Sequence, residues 1–196
     1  LWTAPSAAER ELRALVRHRD DLKGLRQAEK NRLEAQPPSA TVVSHLHALV
    51  ELLERQIAEA EAQIRHHIDR HPDLKAQHDL LTSIPGIGDQ TSFQLLAELG
   101  DLRRFTDVRQ VVALVGLNPQ QRQSGRSLHY TAGIARMGRS SLRAALYLPA
   151  VVAKRHNPRL RAFADRLAAQ GLAPKAVIVA VMRKLLHLAY GVIHSN

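Results

Sequence analysis

The sequence of 196 residues contains no cysteine. That excludes a disulfide framework, a thiolate metal site and a thiol nucleophile. It fits a reducing compartment, and the bacterial or archaeal cytoplasm, near the nucleoid, is the expected location. Aromatic residues make up only 4%, which argues against a β-sandwich. With 45% hydrophobic residues, a core must be built from Leu, Val, Ile and Ala, a palette that favours helices. No apolar run reads as long enough to cross a bilayer, so no membrane partner is expected. A signal peptide is also lacking: the chain opens Leu1-Trp2-Thr3 and reads as part of a longer protein, with a domain expected ahead of it.

Acidic residues run short in one half only. Residues 1–72 hold eleven Lys and Arg against eleven Asp and Glu, whereas residues 73–196 hold seventeen against seven. The whole net charge of +10 therefore sits in the second segment, where Asp107 and Asp165 are the only acids after Leu102. Such segregation is the electrostatic footprint expected for a polyanionic partner.

Hydrophobic periodicity divides the chain at the same place. Leu12, Leu15, Val16, Leu22, Leu25 and Leu33 recur at helical steps over residues 6–35. Gln36-Pro37-Pro38 stops that helix, and Ser39 is a suitable N-cap for the next. Leu46, Leu49, Leu53, Ile57, Ala60, Ile64 and His67 then mark a seam with one stutter over residues 40–70. The fold class expected is mainly α: an antiparallel coiled-coil hairpin over 1–72, then a compact basic helical domain over 73–196. Narrow seams bury little, so the hairpin is expected to self-associate. In the second domain Val111–Leu117 fits either a buried strand or a buried helix, Gln120–Gly133 a loop or short hairpin, and Ser140 or Ser141 a helix cap.

Two motifs carry chemistry. The first is Ile84-Pro85-Gly86-Ile87-Gly88 between two short helices, which looks like a helix-hairpin-helix element. Pro85 fixes the entry into the turn, and the glycines leave backbone amides bare at a helix N-terminus. Amides so placed can hold a phosphate without reading bases, so Pro85, Gly86, Ile87 and Gly88 are candidate nucleic-acid contacts. The second motif runs Gly116-Leu117-Asn118-Pro119, Gln123-Ser124-Gly125-Arg126, Ile134-Ala135-Arg136-Met137-Gly138-Arg139 and Leu142-Arg143. Arg122 and Arg126 flank its serine, and Arg136, Arg139 and Arg143 recur at three- and four-residue steps, which suits phosphate contact. Lys154, Arg155, Arg159 and Arg161 form another basic cluster, and Arg183 with Lys184 a third.

The ordered set of motifs resembles the C-terminal transposase domain of the insertion-sequence family "one-ten", the bridge-RNA-guided recombinases, over essentially the whole chain. That resemblance implies Ser124 as the catalytic nucleophile on a DNA phosphodiester, with DNA and a structured guide RNA as partners. It also implies an RNase H-like domain upstream whose acidic residues bind Mg²⁺. No metal ligand set is visible in this chain, so the isolated chain is expected to be inactive. From the residues alone, Ser124 could equally be a turn residue, with Ser127 as its local competitor. A non-catalytic nucleic-acid-binding and dimerisation module is the alternative reading.

Overall fold

A computed structural model describes residues 4–124, 128–134 and 138–195. The chain is mainly helical, with eight α-helices and one two-stranded hairpin among the described residues. It divides into two units, Leu1–Lys75 and Ala76–Asn196.

The first unit is an antiparallel helical hairpin. Helix α1 spans Ala7–Glu34 and α2 spans Ala40–Asp69. Ser6 starts α1 with a capping box: its hydroxyl accepts from the Glu9 amide at 3.2 Å, and its own amide donates to Glu9 Oε2 at 2.6 Å. Ser39 caps α2, as its position after the proline pair predicts. Antiparallel order follows from the cross-helix partners, Lys30 with Glu54, Lys23 with Glu61, and His67 with the Ala8 carbonyl.

The buried seam of α2 runs Leu46, Val50, Leu53, Ile57, Ala60, Ile64 and His67, with Ile68 buried beside it. These steps alternate four and three without a break, so the stutter disappears once Val50 replaces Leu49 in the seam. Leu49 is 38% exposed instead. In α1 the interior positions are Leu12, Val16, Arg19 and Leu22, while Leu25 is 55% exposed. Continuing that spacing meets Arg26 and Lys30, whose aliphatic stems can cover the seam while the charges reach its edge.

In the second unit, α3 (Pro72–Thr82, entering from the first unit) leads through a turn into α4 (Asp89–Leu99). Thr91–Gly100 is buried at every position, so α4 is an interior helix. A short 3-10 turn, Leu102–Arg104, leads to α5 at Val108–Val115. The valine run is thus helical despite its β-branched residues. Asp107 caps it by accepting from the Arg109 amide at 2.7 Å, Gly116 ends it in the left-handed conformation, and Val111, Val112 and Val115 are buried. Strands β1 (Pro119–Ser124) and β2 (Leu128–Ile134) follow as an antiparallel hairpin.

Helices α6 (Ser140–His156), α7 (Pro158–Ala169) and α8 (Pro174–His194) complete the unit. Neither Ser140 nor Ser141 caps α6: Arg139 is the N-cap, with no side-chain cap bond. Asn157 caps α7 by accepting from the amides of Arg159 and Leu160. The long apolar α8 packs against α5, α6, α7 and the 3-10 turn. It corrects the expectation that no run could span a bilayer, since its length and mean hydropathy of 1.7 suffice by composition. Its apolar side, from Val177 to Ile193, is nevertheless buried in the core of this unit. Arg183, Lys184 and His187 interrupt the run.

Candidate functional site

The hairpin β1–β2 has a glycine neck. Gly116 leaves α5 with φ of +78° and Gly138 enters α6 with φ of +101°. The two backbones approach so closely that a Cβ on Gly138 would lie 2.6 Å from the Gly116 nitrogen. The Arg139 amide donates to the Leu114 carbonyl at 3.0 Å, which ties the chain entering α6 to the end of α5. Gly138 is required here because a side chain would meet backbone that cannot give way, and Gly116 because its positive φ disfavours a Cβ.

Two arginines brace this neck from below. The Arg139 guanidinium donates to Glu98 twice, at the backbone carbonyl and, at 2.6 Å, at Oε2. The Glu98 side chain is only 4% exposed, so the pair is an anchored, charge-assisted contact. Arg143 donates to the Val115 carbonyl at 3.0 Å, satisfying one of the orphan acceptors at the end of α5. These two candidates thus hold the base of the hairpin. Sequence reasoning missed Glu98, although a single acid inside Leu95-Leu96-Ala97-Glu98-Leu99 was the available signal.

Ser124 is the last residue of β1 and pairs with Leu128, the first of β2. It therefore occupies the end of the paired strands, at the tip of the hairpin. Arg122 lies two residues back on the same strand, opposite Tyr130, and His129 pairs with Gln123. Gly125, Arg126, Ser127 and Arg136 lie outside the described residues.

The Ile-Pro-Gly-Ile-Gly turn divides its residues between two roles. Ile84 and Ile87 are buried, as their place in the motif predicts. Gly86 has φ of +109°, and a Cβ there would sit 2.5 Å from the Ala153 Cβ on α6. This glycine permits close packing of the turn on α6. Gly88 differs: it is the N-cap of α4, has ordinary extended φ, and a Cβ would meet nothing within 4 Å. Pro85 and Gly88 are exposed. The open backbone of this turn is thus at Gly88.

A second serine meets a histidine here. His78 Nδ1 is 2.9 Å from Ser92 Oγ, and its Nε2 is 3.7 Å from Asp89. Ser92 is fully buried, so that hydroxyl is closed to a macromolecular substrate and the contact joins α3 to α4. Among the described residues no three His, Asp or Glu side chains come together as a metal site.

Comparison with known proteins fixes the class. Residues 78–165, from α3 to α7 and including the whole hairpin, match the sequence model described as "Transposase IS116/IS110/IS902 family". The hairpin and its neck thus lie within the matched stretch. The pilin gene-inverting protein of Moraxella bovis is 34% identical over the full chain, which covers 61% of that protein. The insertion element IS900 uncharacterized 42 kDa protein of Mycobacterium paratuberculosis is 28% identical over 86% of this chain and 41% of its own length. The insertion element IS110 uncharacterized 43.6 kDa protein of Streptomyces coelicolor is 28% identical over 79% of this chain and 37% of its own length. Over residues 78–165 the chain is thus similar to transposases of the IS116/IS110/IS902 family. It spans less than two thirds of the length of these relatives.

Proposed function

We propose that this chain supplies the serine nucleophile for DNA strand cleavage and exchange, with Ser124 as the attacking residue. The observation that carries the reading is the position of Ser124 at the tip of a hairpin whose base is fixed by Gly116, Gly138 and Arg139. A serine so held can meet a phosphodiester while the helical body stays rigid. In the proposed step Ser124 Oγ bonds to phosphorus, its proton passes to a base, and one DNA hydroxyl is released. The phosphoserine ester keeps the bond energy, so the reverse attack by a new DNA hydroxyl rejoins the strand. Arg122 and Arg126 would neutralise phosphate charge during this exchange.

The rest of the second unit would bind nucleic acid backbone. Its surplus of arginine and lysine supports this, as does the open N-cap at Gly88. Structured guide RNA is proposed as a second polyanion beside DNA. Mg²⁺ is assigned to an acidic domain elsewhere in the whole protein, acting in the cytoplasm. The helical hairpin is proposed as a dimer element. Val42, Leu49 and Leu52 on α2 are each about 40% exposed, and their spacing of seven and three residues gives a second apolar stripe outside the filled seam.

The experiment is strand cleavage by the full-length protein with Ser124→Ala and, separately, Ser127→Ala. Alanine at 124 removes the attacking oxygen with little volume and no charge, so cleavage should vanish while nucleic-acid binding persists. Ser127→Ala should retain cleavage. Undiminished cleavage by Ser124→Ala would refute the nucleophile assignment. Binding with no cleavage by any variant would favour a non-catalytic binding module.

A further inference from the structure

Away from the hairpin, a cleft of about 390 Å³ lies between α7 and α8. Leu160, Phe163 and Leu188 give it apolar walls, and Arg159, Arg166 and Lys184 supply three cations. None of its lining residues is acidic. The Arg166 guanidinium carbon and the Lys184 Nζ sit 5.5 and 5.6 Å from the centre of the Phe163 ring. Cation–π attraction at that distance steadies both cations beside the ring without neutralising them. The fold thus gathers Arg159 and Lys184, which belong to basic clusters 25 residues apart in sequence, around one half-buried aromatic ring.

Each feature narrows the ligand. Apolar walls and an aromatic ring favour a flat face with little polarity, and three cations without a carboxylate favour an anion. The volume suits a single small-molecule-sized group. A base still paired and stacked in a duplex cannot enter a cleft of this size. We infer that the α7–α8 cleft is a binding slot for an unpaired nucleotide of a DNA or RNA strand, its base lodged beside Phe163 and its flanking phosphates held by Arg159, Arg166 and Lys184. The slot rests on the nucleic-acid reading of this unit but not on the role of Ser124. It would give the transposase a preference for looped or single-stranded segments that backbone contacts alone lack.

The test is fluorescence anisotropy of the full chain with a 12-nucleotide oligo-dT, the matching oligo-U, and a DNA duplex of equal length. Phe163→Leu keeps an apolar residue at this half-buried site and removes the ring. It should weaken both single strands by at least roughly five-fold and leave the duplex within two-fold, since base–aromatic stacking is sequence-tolerant. Lys184→Gln should lower the salt dependence of single-strand binding by about one ion. If only one single strand responds, the slot is assigned to that strand type. Single-strand binding by a folded Phe163→Leu equal to that of the unmodified chain overturns the slot while the wider nucleic-acid reading stands. No binding of any oligonucleotide by the unmodified chain overturns both. Photocrosslinking of the unmodified chain to an oligonucleotide carrying one 5-iodouracil needs no variant. The adduct should map to Phe163, and an adduct found only elsewhere overturns the slot.

Discussion

In the helical hairpin, Lys30 meets Glu54 at 2.8 Å and Lys23 meets Glu61 at 2.9 Å across the two helices. In the second unit one buried carboxylate, Glu98, is reserved for Arg139 at the base of the β-hairpin. The contrast shows how charge is allotted. The first unit uses its acids to match its own bases, and its net charge is zero. The second, Ala76–Asn196, has sixteen bases for six acids, and its one buried acid sits where geometry must be held. The surplus of positive charge suits a polyanion. Charge segregation in the sequence therefore fits two physical tasks, helix pairing and the proposed capture of nucleic-acid backbone.

The sharpest way to break this comparison is to remove the neck's cation. Arg139→Gln removes a charge-assisted partner of the buried Glu98, and should cost about 3 kcal/mol. Adding Glu98→Gln should recover much of that loss, and thermal unfolding of the single and double variants measures it. An Arg139→Gln protein as stable as the unmodified chain would show that Arg139 is a surface charge like its neighbours. Exposed pairs such as Lys30–Glu54 should be worth far less when broken.

The glycines divide along the same line. Gly138→Ala and Gly86→Ala place a Cβ at positive φ and against neighbouring atoms, so each should destabilise by at least about 1–3 kcal/mol. Gly88→Ala meets open space and should cost well under 1 kcal/mol. If the Gly88 amides hold phosphate, a bulkier Gly88→Val should weaken DNA and RNA of any sequence alike, with melting nearly unchanged. Equal stability losses at positions 86 and 88 would contradict the division of roles in that turn.

A smaller effect separates the two faces of α2. Leu49→Asp with Leu52→Asp should leave the hairpin helical and lower the mass seen in sedimentation. Leu53→Ala should instead destabilise the hairpin by about 2–5 kcal/mol, because Leu53 packs inside it with Leu22, Ile57 and Ala60. An unchanged mass for the Leu49 and Leu52 variant removes the dimer proposal.

Acid should distinguish the units most subtly. Burial, helped by the Arg183 and Lys184 charges and opposed by Asp107, holds the His187 pKa below its ordinary 6.5. The unfolded chain then binds the proton more readily, so this contribution is present above pH 6.5 and is lost as pH falls through the lowered value. In the hairpin, the Lys30 hydrogen bond and charge hold Glu54 below 4.5. Burial pushes Glu61 up, but the Lys23 hydrogen bond, with Lys23, Arg19 and Arg65 charges, brings it below 4.5 as well. Hydrogen exchange should therefore report weakening around α8 beginning below pH 6.5, and weakening of the hairpin only below about pH 4.5. Loss in the reverse order would contradict the account.

Much of the fold was legible in the sequence because its signals are local. The proline pair at 37–38, the Ser39 cap and the 3.6-residue spacing require no partner to be known. The valine run at 111–115 stayed ambiguous because its helix depends on burial, which periodicity does not reveal. Leu49 was placed in the seam because it is a leucine at helical spacing, yet Val50 keeps the register and the partner helix chooses between them. The α6 cap was misread for a related reason. Two serines favour capping locally, but Arg139 is fixed in extended geometry by Leu114 and Glu98, both distant in sequence. The candidate serine was legible only through an ordered family pattern. Phe163 with Arg159, Arg166 and Lys184 was not legible at all, since the residues come together through packing of α7 on α8.

The central claim is that the serine at the hairpin tip attacks DNA, and a covalent adduct tests it most directly. The full-length protein, incubated with its DNA substrate and denatured, should carry a stable protein–DNA phosphoester. Digestion and mass spectrometry should place that ester on Ser124. An adduct on another residue, or strand exchange proceeding with no covalent intermediate under trapping conditions, would contradict the account.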